Sequence, residues 1–208
     1  ARAQAQAWLN HETFTLAGVD ETGSAIPVDR DQGIRPTTTL EKMGSLLPAF
    51  TADGVTTAGN SSQISDGAAV VVLASAERAQ ALGLKPRARL LSSVTVGSDP
   101  HLMLTGPIGA TRKALTKAGL TLDQIDLFEV NEAFATVIAL WKREIGAEMS
   151  RVNVHGGAIA LGHPLGASGA RLLTTLLHAL ETQDKRYGLQ TMCCGGGMGT
   201  GTIIERLT

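Results

Sequence analysis

The chain is poor in aromatic residues and in cysteine. Aromatic side chains make up only 3 % of its 208 residues, and its two cysteines, Cys193 and Cys194, are adjacent. Adjacent cysteines rarely bridge each other, so the sequence excludes a disulfide scaffold and favours a reducing compartment, which predicts a cytoplasmic protein. The pair also lacks the C-x-x-C spacing of zinc and dithiol redox sites, so we expect neither a metal site nor a redox protein.

The chain also lacks an excess of charge of one sign and any long hydrophobic run. Its formal net charge is -1, which argues against a general binder of nucleic acid or acidic membranes, because such proteins carry a basic surplus. No apolar run approaches the roughly 18 residues that indicate a membrane-spanning helix. Hydrophobic residues nevertheless make up 43 % of the chain, so the sequence predicts a folded protein with a buried core.

Glycine, by contrast, is abundant, and strand-like segments alternate with helix-like ones. The chain holds 24 glycines, well above the average usage of about 7 %. The apolar run at residues 68–74 predicts a strand buried on both faces, and Ser75 is a suitable N-cap for a helix after it. Further strands are predicted at residues 88–96, 125–130, 152–155, 190–194 and 200–206, and further helices at residues 107–118, 132–145 and 168–180. This alternation indicates an α/β fold with helices covering a mixed sheet, in which the last two strands form an antiparallel hairpin.

Three short stretches with polar groups stand near the ends of predicted strands. They are Asn131-Glu-Ala-Phe134, Gly162-His-Pro164 and Cys193-Cys-Gly-Gly-Gly-Met-Gly199. In α/β sheets, ligands gather at the carboxyl ends of the strands. The sequence therefore predicts a site to which these stretches contribute one polar group each.

Each stretch also has an ordinary structural explanation. His163 is either a turn residue without a role or an imidazole held beside a substrate by its glycine-rich loop. Asn131 either caps a helix or holds a water or a carbonyl oxygen, and Glu132 suits the positive end of a helix dipole. The cysteines are either small core residues or include one tuned thiol, and only one can face a site because strand residues alternate in direction. The glycine turn after them could supply oxyanion-hole N–H groups, whereas a dinucleotide loop is excluded because no helix follows it.

Together the three stretches resemble the thiolase family. The resemblance rests on residues 131–135, 152–171 and 193–199, and it extends upstream to about residue 46 and weakens before about residue 34. It departs slightly at His155, where many members have Asn. The resemblance implies a thiolase-type layered α/β fold, with helices packed on a mixed five-stranded sheet that is here incomplete. It also implies an acyltransferase that moves acyl groups between CoA thioesters by Claisen condensation or thiolytic cleavage, through an acylated cysteine.

The resemblance implies roles for particular residues of the catalytic set. His163 matches the histidine that activates the nucleophile and helps to bind the thioester oxygen. Asn131 matches the residue that holds a water in that first oxyanion hole. Cys193 matches the acid/base cysteine, and the backbone N–H of Gly195 matches a donor of the second oxyanion hole.

The resemblance also implies where coenzyme A binds. Coenzyme A and acyl-CoA are expected as substrates, with no permanently bound cofactor and no metal. Ser62 matches the serine that hydrogen-bonds the pantetheine arm, and Arg35 matches a basic residue near the adenine nucleotide. The positions that match the lining of the pantetheine tunnel are Phe50, Ala58, Ile64, Ala133 and Phe134.

The resemblance divides the chain into three parts and predicts that more is needed for activity. Residues 1–64 match the C-terminal part of the loop domain that covers CoA, residues 65–85 match a strand and helix of the N-terminal thiolase domain, and residues 86–208 match the C-terminal thiolase domain. The family's nucleophilic cysteine lies in an N-terminal half that we expect to be missing here, because the chain starts at Ala1 without Met and has no other cysteine. We therefore expect this polypeptide alone to be inactive.

Two functions remain open at this point. One is the C-terminal portion of a thiolase that works with its missing N-terminal half, in a homodimer or homotetramer as in relatives. The other is a catalytically inactive remnant that binds CoA or a partner. The presence of Asn131, His163 and Cys193 together favours the first. Acyl chain length and the direction of the reaction stay open, because members of both directions share the three stretches.

Overall fold

A computed structural model describes residues 1–207 and places the strands in two separate sheets. The strands are β1 (Leu16–Val19), β2 (Ala25–Val28), β3 (Ala88–Gly97), β4 (Leu127–Val130), β5 (Tyr187–Cys194) and β6 (Met198–Arg206). The helices are α1 (Arg2–Ala5), α2 (Leu40–Gly44), α3 (Ala76–Ala81), α4 (Gly106–Ala118), α5 (Ala135–Ile145), α6 (Ala158–Leu161) and α7 (Ser168–Thr182), with single 3₁₀ turns at Ala58–Asn60, Leu122–Gln124 and Met149–Arg151.

The main sheet is mixed, as the alternation of strands and helices predicts. Its four strands lie in the order β3-β6-β5-β4. β4 and β5 run parallel, while β6 is antiparallel to both β5 and β3. The predicted antiparallel hairpin at the carboxyl end of the chain is therefore confirmed. The α/β class is confirmed as well, because helices cover both faces of this sheet.

The sheet has four strands rather than the expected five. Residues 152–155 contribute only one β-bridge, from Val152 to Phe128, and then turn away. The reason is Asn153, whose φ of 47° ends the extended conformation. Its side chain continues the pairing, because the Asn153 amide accepts a hydrogen bond from the N–H of Val130 at 2.8 Å and donates one to the carbonyl of Val130 at 2.9 Å.

The strand predicted at residues 68–74 is also absent. The segment is not part of either sheet among the described residues, and α3 follows it at the predicted place, with the Ser75 side chain accepting from the N–H of Arg78. Val70, Val72 and Leu73 are 84 %, 82 % and 72 % exposed. An apolar run becomes a buried strand only when a neighbour supplies hydrogen bonds and covers both faces, and nothing within residues 1–207 does so here.

Two apolar layers hold the helices to the sheet. Alternate residues of the strands serve opposite faces: Phe128 and Val130 of β4 pack in one layer, and Leu127 packs in the other. In the first layer, α5 contributes Trp141, whose indole N–H donates to the Thr111 hydroxyl of α4 at 2.9 Å. α7 covers the other face, where the second layer is formed mainly by Leu127, Leu176, Ala179, Leu180 and Ile204.

A buried polar contact fixes the N-terminal segment against α7. The Glu12 carboxylate lies 3.0 Å from Nδ1 of His155 and accepts a hydrogen bond from the Thr175 hydroxyl at 2.7 Å. The His155 side chain is fully buried and stacks on Trp8, with 5.5 Å between ring centroids. His155 therefore joins segments that are far apart along the chain.

The start of α4 passes so close to β6 that neither backbone has room for a side chain. A Cβ on Gly199 would lie 2.5 Å from the carbonyl oxygen of Gly106, and a Cβ on Gly106 would lie 2.5 Å from the carbonyl oxygen of Met198. Such distances are well inside van der Waals contact, and the obstructing atoms belong to the backbone. The glycines at both positions therefore set how closely α4 packs on the sheet.

We expect Gly199→Ala to lower the free energy of unfolding by about 2 kcal/mol or more, because the added methyl group must push α4 away from β6. Urea unfolding followed by circular dichroism measures this. The matched control is Gly44→Ala, since Gly44 lies in α2 and a methyl group added there would have no other atom within 4 Å. Equal midpoints for the two variants would contradict the close-packing argument.

None of the helices in the described part of the chain is both long and apolar enough to cross a membrane.

Candidate active site

The polar stretches meet at the carboxyl ends of β4 and β5. These strands are parallel neighbours, and the N–H of Asn131, just after β4, donates to the carbonyl of Thr191 in β5 at 2.9 Å. His163 follows α6 and reaches the same edge, where its Nε2 lies 3.2 Å from Nδ2 of Asn131. The structure thus brings together Asn131 and His163, which lie on separate elements of the chain.

The hydrogen bonds around His163 assign its tautomer. The Ser168 hydroxyl donates to the carbonyl of Pro164 at 2.9 Å, so it accepts from the Nδ1–H of His163, which is 2.6 Å away. Nε2 is then without a proton, and it accepts from the side-chain N–H of Asn131. A single tautomer in which Nε2 carries the lone pair is what a general base requires.

The charges around His163 also favour its neutral form. Burial lowers the pKa of the imidazole, and the positive charge of Arg171 lowers it further. At neutral pH, His163 is therefore ready to accept a proton rather than to donate one.

The two cysteines occupy different environments. Cys193 is buried and packs against Ala133 and Val137, whereas Cys194 is half-buried. Burial raises the pKa of the Cys193 thiol, and hydrogen bonds that the sulfur accepts from its own backbone N–H and from the Asn131 side chain oppose this rise. Cys193 thus stays protonated at neutral pH and lies beside Asn131.

Glu132 acts on a helix other than the predicted one. The helix expected at residues 132–145 begins at Ala135, and Glu132 instead accepts a hydrogen bond from the N–H of Ile159 at 3.0 Å. Its carboxylate lies against Gly157, the N-cap of α6, where a Cβ would come within 2.6 Å of the Glu132 carboxyl carbon. Glu132 therefore holds the first turn of the helix that leads to His163, a contact that only the folded chain reveals.

The residues predicted to bind coenzyme A divide into two groups. Phe134 lies edge-on to Phe50 at 6.1 Å between centroids, and the carbonyl of Ala133 accepts from the N–H of Ser62 at 2.9 Å, so these four residues lie around the site edge. The other three are exposed: Arg35, Ala58 and Ile64. Gly195 lies in the exposed turn between β5 and β6.

A buried charged cluster lies on the sheet face under α7, and sequence reasoning missed it. We call Glu129, Arg171 and Gln190 the Glu129 cluster. Glu129 and Gln190 are register partners on β4 and β5 and are 1 % and 4 % exposed. Six polar side-chain atoms of the cluster are buried without a hydrogen-bond partner among the described residues. They are both carboxylate oxygens of Glu129, Nε2 of Gln190 and all three guanidinium nitrogens of Arg171. The signal available in the sequence was the polar pair inside otherwise apolar strands.

Burial raises the pKa of Glu129 to about 8; Arg171 lowers it, while the Glu12 and Glu132 carboxylates add to the rise. Arg171 also lowers the pKa of Glu132, which burial raises overall. One buried cation thus acts on both Glu129, below the site edge, and Glu132, which holds α6. The electrostatics beneath His163 depend on this arginine.

Comparisons with known proteins agree with the geometry. Residues 84–206 match the family described as "Thiolase, C-terminal domain", and residues 1–77 match "Thiolase, N-terminal domain". An acetyl-CoA acetyltransferase of Pseudomonas aeruginosa is 51 % identical over 184 residues, which are 88 % of this chain and 47 % of the relative. A 3-ketoacyl-CoA thiolase of Citrobacter koseri is 46 % identical over an alignment of 218 positions, which covers 100 % of this chain and 56 % of the relative.

A solved structure shows the same fold. The acetyl-CoA acetyltransferase of Bacillus anthracis superposes with a TM-score of 0.94 at 37 % identity, over 99 % of this chain and 52 % of that one. The chain therefore spans about half the length of the relatives it matches, and its matches fall in both the N-terminal and the C-terminal family descriptions. With more than half of its residues in one family match and close relatives covering most of its length, the chain belongs to the thiolase family.

Proposed function

We propose that this chain is the portion of a thiolase that supplies the acid/base groups for acyl transfer between CoA thioesters, by Claisen condensation or by thiolytic cleavage of a 3-ketoacyl-CoA. The observation that carries the proposal is the meeting of Asn131 with His163 and Cys193 at one sheet edge. The tautomer and lowered pKa of His163 suit a base, and the raised pKa of Cys193 suits a group that donates a proton.

In this proposal, the acylated nucleophile is a cysteine outside these 208 residues. The chain has two cysteines, and the buried one is already assigned to proton transfer. His163 Nε2 would take the proton from the nucleophile, whose thiolate attacks the acyl thioester and releases CoA. In thiolysis, the Cys193 thiol would give its proton to the α-carbon of the leaving acetyl-CoA enolate and become a thiolate. In condensation, the reverse step, Cys193 in its thiolate form would take that proton from the α-carbon of acetyl-CoA.

Oxyanion stabilisation falls to two other groups. Asn131 would orient a water in the first oxyanion hole, and its Oδ1 is buried without a hydrogen-bond partner among residues 1–207. The N–H of Gly195 would donate in the second hole, because a glycine turn presents backbone N–H groups without a side chain in the way. The backbone would hold the Gly195 N–H, and the Asn131 side chain would hold the water, before the substrate arrives; such preorganisation is what makes the stabilisation effective.

Coenzyme A and acyl-CoA are the proposed substrates, with no permanently bound cofactor. Ser62 would bind the pantetheine arm, because its backbone N–H already ties it to Ala133 at the site edge. Phe50 and Phe134 would form one wall of the tunnel, with Ala58 and Ile64 along it. Arg35 would lie near the adenine nucleotide, in the exposed loop before α2.

The proposed organisation of the chain follows the expected boundaries. Residues 1–64 would belong to the loop domain, residues 65–85 to the N-terminal thiolase domain and residues 86–208 to the C-terminal domain. The exposure of Val70, Val72 and Leu73 supports the second assignment, because an apolar extended segment needs a sheet to cover it. A homodimer or homotetramer and a cytoplasmic location are proposed on the family resemblance and on the two free cysteines.

The test compares this chain alone with the chain plus a thiolase polypeptide that carries the nucleophilic cysteine. With acetoacetyl-CoA and CoA as substrates, we expect no turnover by the chain alone above its Cys193→Ala variant, and turnover once the complementing polypeptide is added. Turnover by the chain alone would contradict the assignment of the nucleophile. CoA binding by calorimetry without any turnover after complementation would support the alternative, a catalytically inactive remnant that binds CoA.

A further inference from the structure

Gln63 makes contacts that join two distant parts of the chain. Its side-chain Nε2 lies 3.1 Å from the carbonyl oxygen of Gly33, 3.1 Å from that of Ile159 and 3.4 Å from that of Ala160. A Cβ on Gly33 would come within 2.5 Å of the same nitrogen, so the carboxamide is also closely packed. No signal within the sequence points to these partners, because they lie far from residue 63 along the chain.

Two of those carbonyls belong to α6, the four-residue helix before His163. The last carbonyls of a helix have no partner within it, and in so short a helix few bonds hold the turn together. Gln63 supplies a donor to Ile159 and Ala160, at the end opposite to the Glu132 carboxylate. The helix is thus held at both ends by side chains from other elements.

The backbone around Gln63 makes the same connection. Its carbonyl accepts a hydrogen bond from the N–H of His163 at 3.0 Å. On its other side, Ser62 donates to Ala133, and Ser61 forms a β-bridge with Phe134. We call residues 61–63 the strap, because this segment joins the end of β4 to the His163 loop.

We propose that Gln63 is a positioning residue for His163. Gln63 holds the imidazole in its contact with Asn131 and links the position of the imidazole to that of the pantetheine contact at Ser62. The inference rests on the proposed function and deepens it. A ligand held at Ser62 would meet His163 at a constant spacing, because neighbouring strap residues carry both contacts. Acyl transfer depends on such spacing, since misplacement by about 1 Å can cost about a hundredfold in rate.

The first test reads the His163 ring directly in this chain, without any assay of activity. In ¹⁵N NMR of the imidazoles, the wild-type chain is expected to show His163 as the Nδ1–H tautomer alone, with the signal assigned by His163→Gln. Gln63→Met keeps the size of the side chain but removes the donor, so we expect a mixture of tautomers. The control Gln80→Met changes an exposed glutamine of α3 and should leave the signal unchanged.

A variant that fails to fold would not decide the question, so a second one is included. Gln63→Ser leaves room for water to reach the bare carbonyls, which preserves the fold while releasing the side-chain contact. The circular dichroism of each variant is compared with that of the wild type. A single Nδ1–H tautomer in a folded Gln63→Ser chain would overturn the proposal.

The second test uses the complemented enzyme. Gln63→Ser should lower kcat about ten- to a hundredfold with KM for acyl-CoA changed by less than about threefold, because the reacting group is displaced and not the binding surface. A merely structural role would reduce the amount of folded enzyme and leave kcat per site unchanged, which would overturn the proposal. If the wild-type enzyme shows no transfer, the proposed function fails, and the NMR result still decides the role of Gln63.

Discussion

Replacing Cys193 with alanine is expected to lower acyl transfer by the complemented enzyme about a hundred- to ten-thousandfold, the usual range for loss of a positioned acid/base group. The thiol is buried beside Asn131, and its pKa is raised, so at neutral pH it carries the proton that the reaction has to move. The loss should appear in kcat. Rates with acetoacetyl-CoA and CoA measure the effect.

The adjacent cysteine provides a matched control. Cys194→Ala removes the same group one residue along β5, on the opposite face and in a half-buried position. It should change the rate by less than about threefold, because substitutions away from a site have small effects. If the two variants lost the same fraction of the acyl-transfer rate, the assignment of proton transfer to the buried Cys193 would be wrong.

Replacing Glu129 with glutamine is expected to make the chain markedly more stable than the wild type at pH 8 and about equally stable near pH 5. The folded chain holds a proton on Glu129 up to about pH 8, whereas the unfolded carboxyl releases it near its ordinary pKa of 4.5. Between these values the folded state binds more protons than the unfolded state, so wild-type stability falls as pH rises. Each unit of pKa is worth about 1.4 kcal/mol, so the difference should reach a few kcal/mol at pH 8.

Urea unfolding of both proteins from pH 5 to pH 9 tests this expectation. Glutamine cannot ionise, so the part of the pH dependence that comes from Glu129 should vanish in the variant. The control Glu21→Gln, at an exposed position in the turn between β1 and β2, should keep the wild-type profile. Parallel stability curves for the wild type and Glu129→Gln would show that the Glu129 cluster ionises as freely as a surface carboxyl.

Much of the fold was predictable because local rules agree with the tertiary contacts. Ser75 caps α3 as its sequence predicts, and Gly119 and Gly146 end α4 and α5 in the left-handed conformation that glycine favours. The prediction was wrong at residues 68–74 and incomplete at residues 152–155. In both places the outcome depended on partners: the first segment has no neighbouring strand within residues 1–207, and the second is turned by Asn153.

In the candidate site too, some residues could be identified from the sequence and others only from the structure. Asn131, His163 and Cys193 were identified because each stands in a short motif near a strand end, where parallel neighbours bring such ends together. Gln63 and Arg171 were missed, since they act on residues that lie far from them along the chain, as Gln63 does on Ile159. Ser168 was missed although it lies only five residues from His163, because the sequence does not show that its hydroxyl meets Nδ1. Hydrogen-bond partners far along the chain leave no periodic trace in a single sequence.

The sequence by itself therefore determined the α/β class, the family resemblance and the residue types that carry the proposed chemistry. Only the tertiary structure decided their state: which nitrogen of His163 carries the proton, which cysteine is buried, and which helix Glu132 holds. The physical reason is that residue type and local pattern set what a side chain can do. Its pKa, tautomer and position depend on burial and on neighbours that the folded chain alone brings within a few ångströms.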